Sequence, residues 1–246
     1  MEVGGRVCVV TGAARGIGAA LAEAMRAAGA ESVVRADIRQ GEGVERCDVT
    51  DEAQVAALIE RVWRDHGRID VFCSNAGIAV GGGPEATDED WDRIWRVNTL
   101  AHVYVARHLV PRMLERGEGY LVGTVSAAGL LNHVTAMPYG VTKAAALSLF
   151  EWLSIAHHDA GLRVSALCPQ GVKTDMLGFG DSMSAVLAQS ALEPEQVAQV
   201  VLEAMREERF LILPHPEVAR YYANRATDNE RWLRGMRRMR AGLLSS

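Results

Sequence analysis

Two residues spaced four positions apart, Tyr139 and Lys143, are of the types that proton transfer needs. On a helix this spacing places both side chains on one face. An unperturbed phenol has a pKa of about 10, and an adjacent ammonium lowers it by favouring the phenolate. Among its 26 basic residues the chain has only two lysines, Lys143 and Lys173. Because arginine is the usual cation of this chain, we interpret Lys143 as an ammonium retained for chemistry.

A glycine-rich turn near the N-terminus is the second chemical feature. An apolar run ends in Thr11-Gly12-Ala13-Ala14-Arg15-Gly16-Ile17-Gly18, directly before an alanine-rich helical pattern. Such glycines let the backbone turn tightly and approach a pyrophosphate, which then lies at the helix N-terminus. Asp37 follows Gly18 by 19 residues, close to the usual spacing of about 20 to the carboxylate that binds the adenosine ribose. The sequence therefore predicts a dinucleotide site.

The choice between NAD and NADP depends on charge. Asp37 would repel a 2′-phosphate, whereas Arg15, Arg35 and Arg39 could pair with one. We give the carboxylate more weight, because an unpaired anion against a phosphate costs more than a flexible arginine recovers. NAD is the predicted cofactor and NADP is the alternative. A methyltransferase would have a similar turn and ribose carboxylate, but it has no need of the Tyr–Lys pair.

The elements that must position these residues alternate along the chain. Short β-branched runs alternate with longer patterns of helical period, which implies βαβ units and a parallel sheet with helices on both faces. The fold class is therefore α/β, a Rossmann-type doubly wound sheet. Without a linker or repeat, residues 1–246 are predicted to form one dinucleotide-binding domain. The predicted strands are 6–11, 32–37, 69–74, 120–126, 163–167 and 210–213, and the predicted helices are 16–29, 51–66 (capped by Thr50), 88 to about 115 (capped by Thr87), 139–160 and 194–207.

Composition excludes several classes of protein. The 246 residues carry a net charge of −5, which gives no basic surface for nucleic acid or for an anionic membrane. No apolar run is long enough to span a membrane, and the N-terminus resembles no signal peptide, so the cytoplasm is the expected location. The histidines and cysteines lack metal-binding spacing, so no metal is predicted. The cysteines are expected to be small core residues: Cys8, Cys47, Cys73 and Cys168.

In order and spacing, these motifs resemble the short-chain dehydrogenase/reductase family. The turn at 11–18 resembles its nucleotide turn, and Asp48-Val49 its adenine-side pair. Asn75-Ala76-Gly77 resembles its Asn-Asn-Ala-Gly signature, with Ser74 in the first position. Further positions that match the family are Asn98, Ser126 (13 residues before Tyr139), Val172 and Thr174.

The resemblance implies a role for each residue. Tyr139 would be the general acid/base, and Ser126 would hydrogen-bond the substrate oxygen. Lys143 would lower the pKa of Tyr139 and hold the nicotinamide ribose, while Asn98 would fix a water in a proton relay. The implied cofactor-binding residues are Gly12, Arg15, Gly16, Ile17, Gly18, Asp37, Asp48, Val49, Asn75, Ala76, Gly77, Tyr139, Lys143, Val172 and Thr174.

The implied activity is hydride transfer between NAD(H) and a secondary alcohol or ketone. The stretch 176–192 is interpreted as a substrate lid with Gly178 and Gly180 as hinges. Its apolar side chains favour a hydrophobic substrate, and His133 is a candidate substrate contact. The alternatives are an NADPH-dependent carbonyl reductase of the same family and a non-catalytic dinucleotide-binding sensor.

Two segments depart from the family pattern. Gln170 replaces a glycine beside the expected nicotinamide, which puts the local backbone in question. The usual glycine-rich ending is replaced by residues 210–215 and a long arginine-rich helix at about 216–243. Because the usual ending commonly builds a second oligomer interface, the usual tetramer is not expected. The main interpretation of the new helix is a solvated face, with the side chains of Trp232, Met236 and Met239 packed inward.

A homodimer is the expected assembly. The pattern at 139–160 is apolar nearly all round, so one side can cover the sheet while another is left to bury. A second copy is the simplest partner for that side. The predicted interface pairs this helix and the preceding one, at about 88–115.

Overall fold

A single parallel sheet organises residues 1–178 and 182–245, the part of the chain that the computed structural model describes. Its strands are β1 (Val7–Thr11), β2 (Ser32–Asp37), β3 (Val44–Arg46), β4 (Val71–Ser74), β5 (Gly119–Thr124), β6 (Leu162–Leu167) and β7 (Leu211–Ile212). Their order across the sheet is β3-β2-β1-β4-β5-β6-β7, and each neighbouring pair is parallel. The predicted doubly wound α/β fold is confirmed.

Helices cover both faces of this sheet. The α-helices of the described residues are α1 (Gly16–Ala27), α2 (Glu52–His66), α3 (Asp88–Trp95), α4 (Ala101–Arg116), α5 (Ala127–Leu131), α6 (Met137–His157), α7 (Ser182–Ala188), α8 (Pro194–Arg206), α9 (Glu217–Thr227) and α10 (Asn229–Leu244). Alternate side chains of a strand point to opposite faces. Val7 and Val9 accordingly join the core under α2, α4 and α6, while Cys8 and Val10 join the core under α1 and α8.

The sheet places a crevice where the chemistry is expected. The chain runs outward from β1 to β3, then returns to add β4 through β7 on the other side of β1. In such a sheet the ligand crevice lies at the carboxyl ends of the strands, beside the point where the order reverses. The glycine-rich turn follows β1 and Asn75 follows β4, so both lie at that point.

Several predicted boundaries differ from the structure. The helix predicted from 88 to about 115 is α3 and α4, joined by a π-helical turn at Arg96–Leu100. Thr87 caps α3 as predicted, accepting from the Asp90 N–H at 3.1 Å. Thr50 does not cap α2, because its hydroxyl donates to Asp48 Oδ1 and the capping carboxylate is that of Asp51. The short elements β3 and α5 were not predicted. All four cysteines are free and buried, as expected.

The C-terminal segment differs most. The single helix predicted at about 216–243 is two helices, α9 and α10. Asp228 separates them because its backbone is not helical, with φ −144° and ψ 85°, and its carboxylate accepts from the Arg231 N–H at 2.9 Å. In the stretch interpreted as a lid, a 3₁₀ turn at Asp175–Gly178 precedes α7. The predicted hinge Gly180 lies outside the described residues.

Candidate active site

The glycine-rich turn folds tightly between β1 and α1. Gly12 has φ +66°, and a Cβ atom on Gly18 would lie 2.2 Å from the Gly12 carbonyl oxygen. Helix α1 begins at Gly16 without a side-chain cap, so its first N–H groups remain available to an anion. This bare backbone cradle fits the pyrophosphate of a dinucleotide.

Asn75 ties the turn to the rest of the sheet. Its side-chain amide donates to the Thr11 carbonyl at 2.9 Å, and its Oδ1 accepts from the Thr124 hydroxyl at 2.9 Å. Its backbone N–H donates to Thr11 Oγ1 at 3.0 Å. One side chain thus joins the carboxyl ends of β1, β4 and β5. The backbone of Ala76 packs against Gly12, where an added Cβ would lie 2.8 Å from the Ala76 Cα.

Asp37 lies at the end of β2 with its carboxylate held by the backbone. Its oxygens accept from the N–H groups of Ala14 at 3.0 Å and Arg39 at 2.9 Å. A carboxylate has about four acceptor sites, so Asp37 keeps capacity for ribose hydroxyls. Arg35 is already engaged and does not face a 2′-phosphate, because its guanidinium donates to the Ala13 carbonyl at 3.0 and 3.2 Å. Arg15 pairs with Asp175.

The departure at Gln170 does not disturb the backbone. Gln170 adopts no positive φ, and its N–H donates to His215 Nδ1 at 3.2 Å. The position that requires a glycine is instead Gly171, where a Cβ would lie 2.4 Å from the Leu187 carbonyl oxygen. Val172 and Thr174 follow and line the same cavity as the glycine-rich turn.

Ser126 and Tyr139 meet at the end of β5. The Ser126 side chain caps α5 by accepting from the Ala128 N–H at 3.1 Å, and it lies close enough to the Tyr139 phenol to lower the pKa of that phenol. The imidazole of His133 lies edge-on to the Tyr139 ring, with 6.0 Å between centroids. Burial raises the pKa of the Tyr139 phenol, and the Ser126 side chain opposes that change.

Lys143 lies one turn further along α6, 2% exposed. Its ammonium donates to the Thr124 carbonyl at 2.9 Å and lies 5.8 Å from the centroid of the Tyr139 ring. Burial lowers the pKa of Lys143 to about 8, so the side chain is mainly charged at pH 7. The expectation that this ammonium lowers the pKa of Tyr139 is not met in the protein alone, where burial dominates and the net direction is upward.

Asn98 lies behind these residues, in the π-helical turn between α3 and α4. Its amide donates to the Ile78 carbonyl at 2.8 Å and accepts from the Ile78 N–H at 2.9 Å. It also donates to Thr142 Oγ1 at 3.3 Å. A Cβ on Gly77 would lie 3.3 Å from Lys143 Nζ and 3.5 Å from Asn98 Oδ1, so both polar groups approach the same point. Turns of this type are frequent at functional sites.

One cavity of about 1840 Å³ brings the predicted site residues together. All of them line it except Asn98, which is fully buried behind its wall. His133 lines it as well, and so do residues of α9 and α10 that the sequence reasoning assigned to no site. The apolar spacing of these α10 residues was visible in the sequence, but the sequence did not show that they line the cavity. Within the described residues no cluster of His, Cys, Asp or Glu could hold a metal ion, and no described helix could span a membrane.

Comparisons with known proteins identify the family. The profile of the family described as short chain dehydrogenase matches residues 6–184. A 1-deoxy-11-beta-hydroxypentalenate dehydrogenase from Streptomyces exfoliatus is 33% identical, covering 88% of this chain and 86% of its own. A meso-2,3-butanediol dehydrogenase from Serratia marcescens is 32% identical, with 82% and 87% covered.

A solved structure supports the same assignment. A short-chain dehydrogenase/reductase from Burkholderia phymatum, in complex with NAD, is 29% identical with a TM-score of 0.84, covering 94% of this chain and 96% of its own. The chain therefore belongs to the short-chain dehydrogenase/reductase family. It is an oxidoreductase that acts on CH–OH groups.

Proposed function

We propose that the protein transfers a hydride between NAD(H) and a hydrophobic secondary alcohol or ketone, with Tyr139 exchanging the hydroxyl proton. The observation that carries the proposal is that Ser126 and Tyr139 line one cavity, with Ser126 close enough to lower the pKa of the Tyr139 phenol. The pair lies in the same cavity as the glycine-rich turn and Asp37. Apolar side chains such as Leu131 and Leu187 line that cavity too and favour an apolar substrate body.

The chain's own groups would stabilise the charge that develops on the substrate oxygen. When bound, the nicotinamide supplies the hydride donor or acceptor. Ser126 and Tyr139 donate to the oxygen as it gains alkoxide character, and donors already in place need no reorganisation. The raised pKa of Tyr139 keeps the phenol protonated at pH 7, as the reduction of a ketone requires. The charge of Lys143 favours the phenolate that must form in that step.

Replacing Tyr139 tests this assignment. Tyr139→Phe removes the exchangeable proton and is expected to lower kcat about 1000-fold, within the range known for general acid/base groups. NADH binding, measured by fluorescence titration, should persist. Tyr222→Phe is the matched control, because Tyr222 is exposed and lies outside the cavity. Unchanged turnover in Tyr139→Phe would contradict the role of Tyr139. A wild-type protein that binds NADH without oxidising or reducing any alcohol or ketone would favour a dinucleotide sensor.

NAD is the proposed cofactor, and NADP is the alternative. Asp37 presents a carboxylate to the ribose position, and two of the three arginines that could offset it are already engaged: Arg35 with the Ala13 carbonyl and Arg15 with Asp175. A 2′-phosphate would therefore meet an anion with one arginine, Arg39, left to compensate. The solved relative from Burkholderia phymatum was determined with NAD, which also favours this choice.

Asp175→Asn tests the cofactor proposal by removing the carboxylate that holds Arg15. The variant frees Arg15, so the affinity for NADPH should rise about three- to tenfold relative to NADH, while the wild type prefers NADH. Glu193→Gln is the control, because it releases Lys173 from a similar exposed pair at 2.6 Å. Titrations of both reduced cofactors at one ionic strength measure the ratio. Tighter NADPH binding by the wild type would contradict the assignment of Asp37.

The proposed assembly is a homodimer through α6 and the helices α3 and α4, which correspond to the predicted interface at about 88–115 and 139–160. Helix α6 buries Phe150 and Leu153 but leaves Trp152 61% exposed and Ile155 79% exposed, and a second copy would cover both. Ile155→Glu should then shift the protein to a monomer in sedimentation at micromolar concentration. Leu233→Glu, on α10, should not. A wild-type monomer at that concentration would refute the dimer.

A further inference from the structure

The C-terminal helices α9 and α10 form a cover over the catalytic segment. Arg225 of α9 donates to the Leu130 carbonyl, and Arg240 of α10 donates to the Val134 carbonyl. Both acceptors lie between Ser126 and Tyr139 in sequence. The rings of Tyr221 and Trp232 lie 6.5 Å apart and hold the two helices together over the core. The helices are therefore anchored to the segment that carries the reacting hydroxyls.

Helix α10 presents two neighbouring rows of side chains to the cavity. Trp232, Met236, Met239 and Leu243 form an apolar row with the spacing of one helix face. Arg231, Gly235 and Arg238 form a second row beside it, at spacings of four and three. The same wall thus offers an apolar surface and two cations to whatever occupies the cavity that Tyr139 also lines.

The two arginines of this row differ from most cations of the cavity. Lys173 pairs with Glu193 at 2.6 Å, Arg93 pairs with Asp90 at 2.6 Å, and Arg15 pairs with Asp175. Neither Arg231 nor Arg238 has a side-chain hydrogen bond or ion pair within residues 1–178 and 182–245. Asp228 lies close to Arg231, but its Oδ1 accepts from the backbone N–H that begins α10. Among the described residues that line the cavity, Arg39 at the end of β2 is the other arginine without a side-chain hydrogen bond or ion pair.

Gly235 leaves a gap between the two arginines. A Cβ at this position would meet no atom within 4 Å, and the backbone has no positive φ that would require glycine. Residues 231 and 238 are two turns apart, about 10 Å along the helix axis. Two long guanidinium side chains can therefore converge over the bare backbone of Gly235. This is a suitable arrangement for an anionic group held by paired hydrogen bonds.

We propose that Arg231 and Arg238 bind the carboxylate of the substrate, which makes the substrate a hydrophobic hydroxy acid or the corresponding keto acid. The apolar body of the molecule would lie against Trp232 and Met236, and its carbinol carbon would reach Ser126 and Tyr139. The carboxylate is a recognition group and takes no part in the redox step. This inference rests on the proposed function, since it assigns a substrate class to the same site.

A matched pair of substrates tests the carboxylate site. The NAD-loaded enzyme is assayed with 4-hydroxycyclohexanecarboxylate and with its methyl ester, which keeps the ring and the alcohol but lacks the charge. The wild type should prefer the acid by at least about tenfold in kcat/KM. Arg231→Gln and Arg238→Gln should each reduce that preference about tenfold, mainly through KM. Arg237→Gln is the control, because Arg237 is exposed on the same helix and lies outside the cavity.

Binding provides a second readout that does not depend on turnover. Cyclohexanecarboxylate should raise the Tm of the NAD-loaded wild type more than its methyl ester does, and the arginine variants should lose that difference. Equal turnover of acid and ester would overturn the carboxylate site while leaving the proposed function intact. If neither the acid nor the ester is turned over and the acid does not raise the Tm, the carboxylate site is overturned as well. Absence of turnover with every neutral alcohol and ketone as well would overturn the proposed function itself.

Discussion

The buried charge of Lys143 should weaken the fold, and replacing Lys143 by methionine measures by how much. The ammonium is 2% exposed and has one hydrogen bond to protein in the described structure, to the Thr124 carbonyl at 2.9 Å. Burial lowers its pKa from 10.5 to about 8. A buried cation with so little compensation costs folding free energy. Lys143→Met keeps the length of the side chain and removes the charge.

The magnitude follows from the shift in pKa. A difference of about 2.5 units corresponds to roughly 3 kcal/mol by which the folded state disfavours the charged lysine. The Thr124 carbonyl loses its partner in Lys143→Met, which costs about 1–2 kcal/mol. The variant should therefore be about 1–2 kcal/mol more stable than the wild type at pH 7. For a chain of this length that is a rise in Tm of about 3–6 °C.

The difference in stability between Lys143→Met and the wild type should depend on pH. Between pH 8 and 10.5 the folded protein binds fewer protons at Lys143 than the unfolded chain does, so wild-type stability rises with pH in that range. Lys143→Met lacks this gain. The advantage of the variant should therefore be full below pH 8 and should shrink as the pH approaches 10.5. Catalytic activity should be lost at every pH.

Urea unfolding without added cofactor, followed by tryptophan fluorescence at pH 7, 9 and 10.5, measures the difference. Lys173→Met is the control, because Lys173 lies in an exposed pair and its loss should change stability by less than about 1 kcal/mol. A Lys143→Met protein that is less stable than the wild type at pH 7 would refute the reasoning. So would a difference that stays the same from pH 7 to 10.5.

Two further predictions concern the turn and a buried histidine. Gly18→Ala should abolish NADH binding in a titration, because its Cβ would lie 2.2 Å from the Gly12 carbonyl oxygen; Gly29→Ala, which meets no atom within 4 Å but has φ +81°, should cost stability while keeping binding. His102→Leu should lose less stability than the wild type between pH 7 and pH 5, because burial lowers the pKa of His102 to about 3. From pH 7 to pH 5 the wild type should lose about 2 kcal/mol through protonation of the unfolded chain. An equal loss in urea unfolding of the variant would contradict this.

The architecture could be predicted from the sequence because its signals are local. The alternation of strand and helix patterns, the turn at 11–18 and the Tyr139 to Lys143 spacing each lie within a short stretch. The predicted strand at 32–37 matches β2 residue for residue. Some boundaries shifted where neighbouring polar side chains compete for the same helix end. At Asp51, for example, the carboxylate replaces the Thr50 hydroxyl as the cap of α2.

The parts that were not predicted depend on contacts between distant residues. The cap at Asp228 is local, but the packing of α9 and α10 over residues 127–136 is shown only by contacts between distant residues, such as the hydrogen bonds of Arg225 and Arg240 to that segment. The pairing of Arg15 with Asp175 joins positions 160 residues apart. No periodicity within the chain indicates such a contact, although it bears directly on the choice of cofactor.

A contact between distant residues also accounts for the serine at position 74, where the family signature has asparagine. Ser74 replaces the first residue of the family signature, and its hydroxyl shares a hydrogen bond of 2.6 Å with His102 Nδ1. His102 is buried, and burial together with the charge of Lys143 lowers its pKa. The histidine is therefore neutral at pH 7. A protonated His102 would place a second cation in the buried layer that already contains Lys143, and repulsion would make the charged lysine less favourable. The Ser74–His102 pair thus keeps the layer polar while leaving Lys143 as its cation.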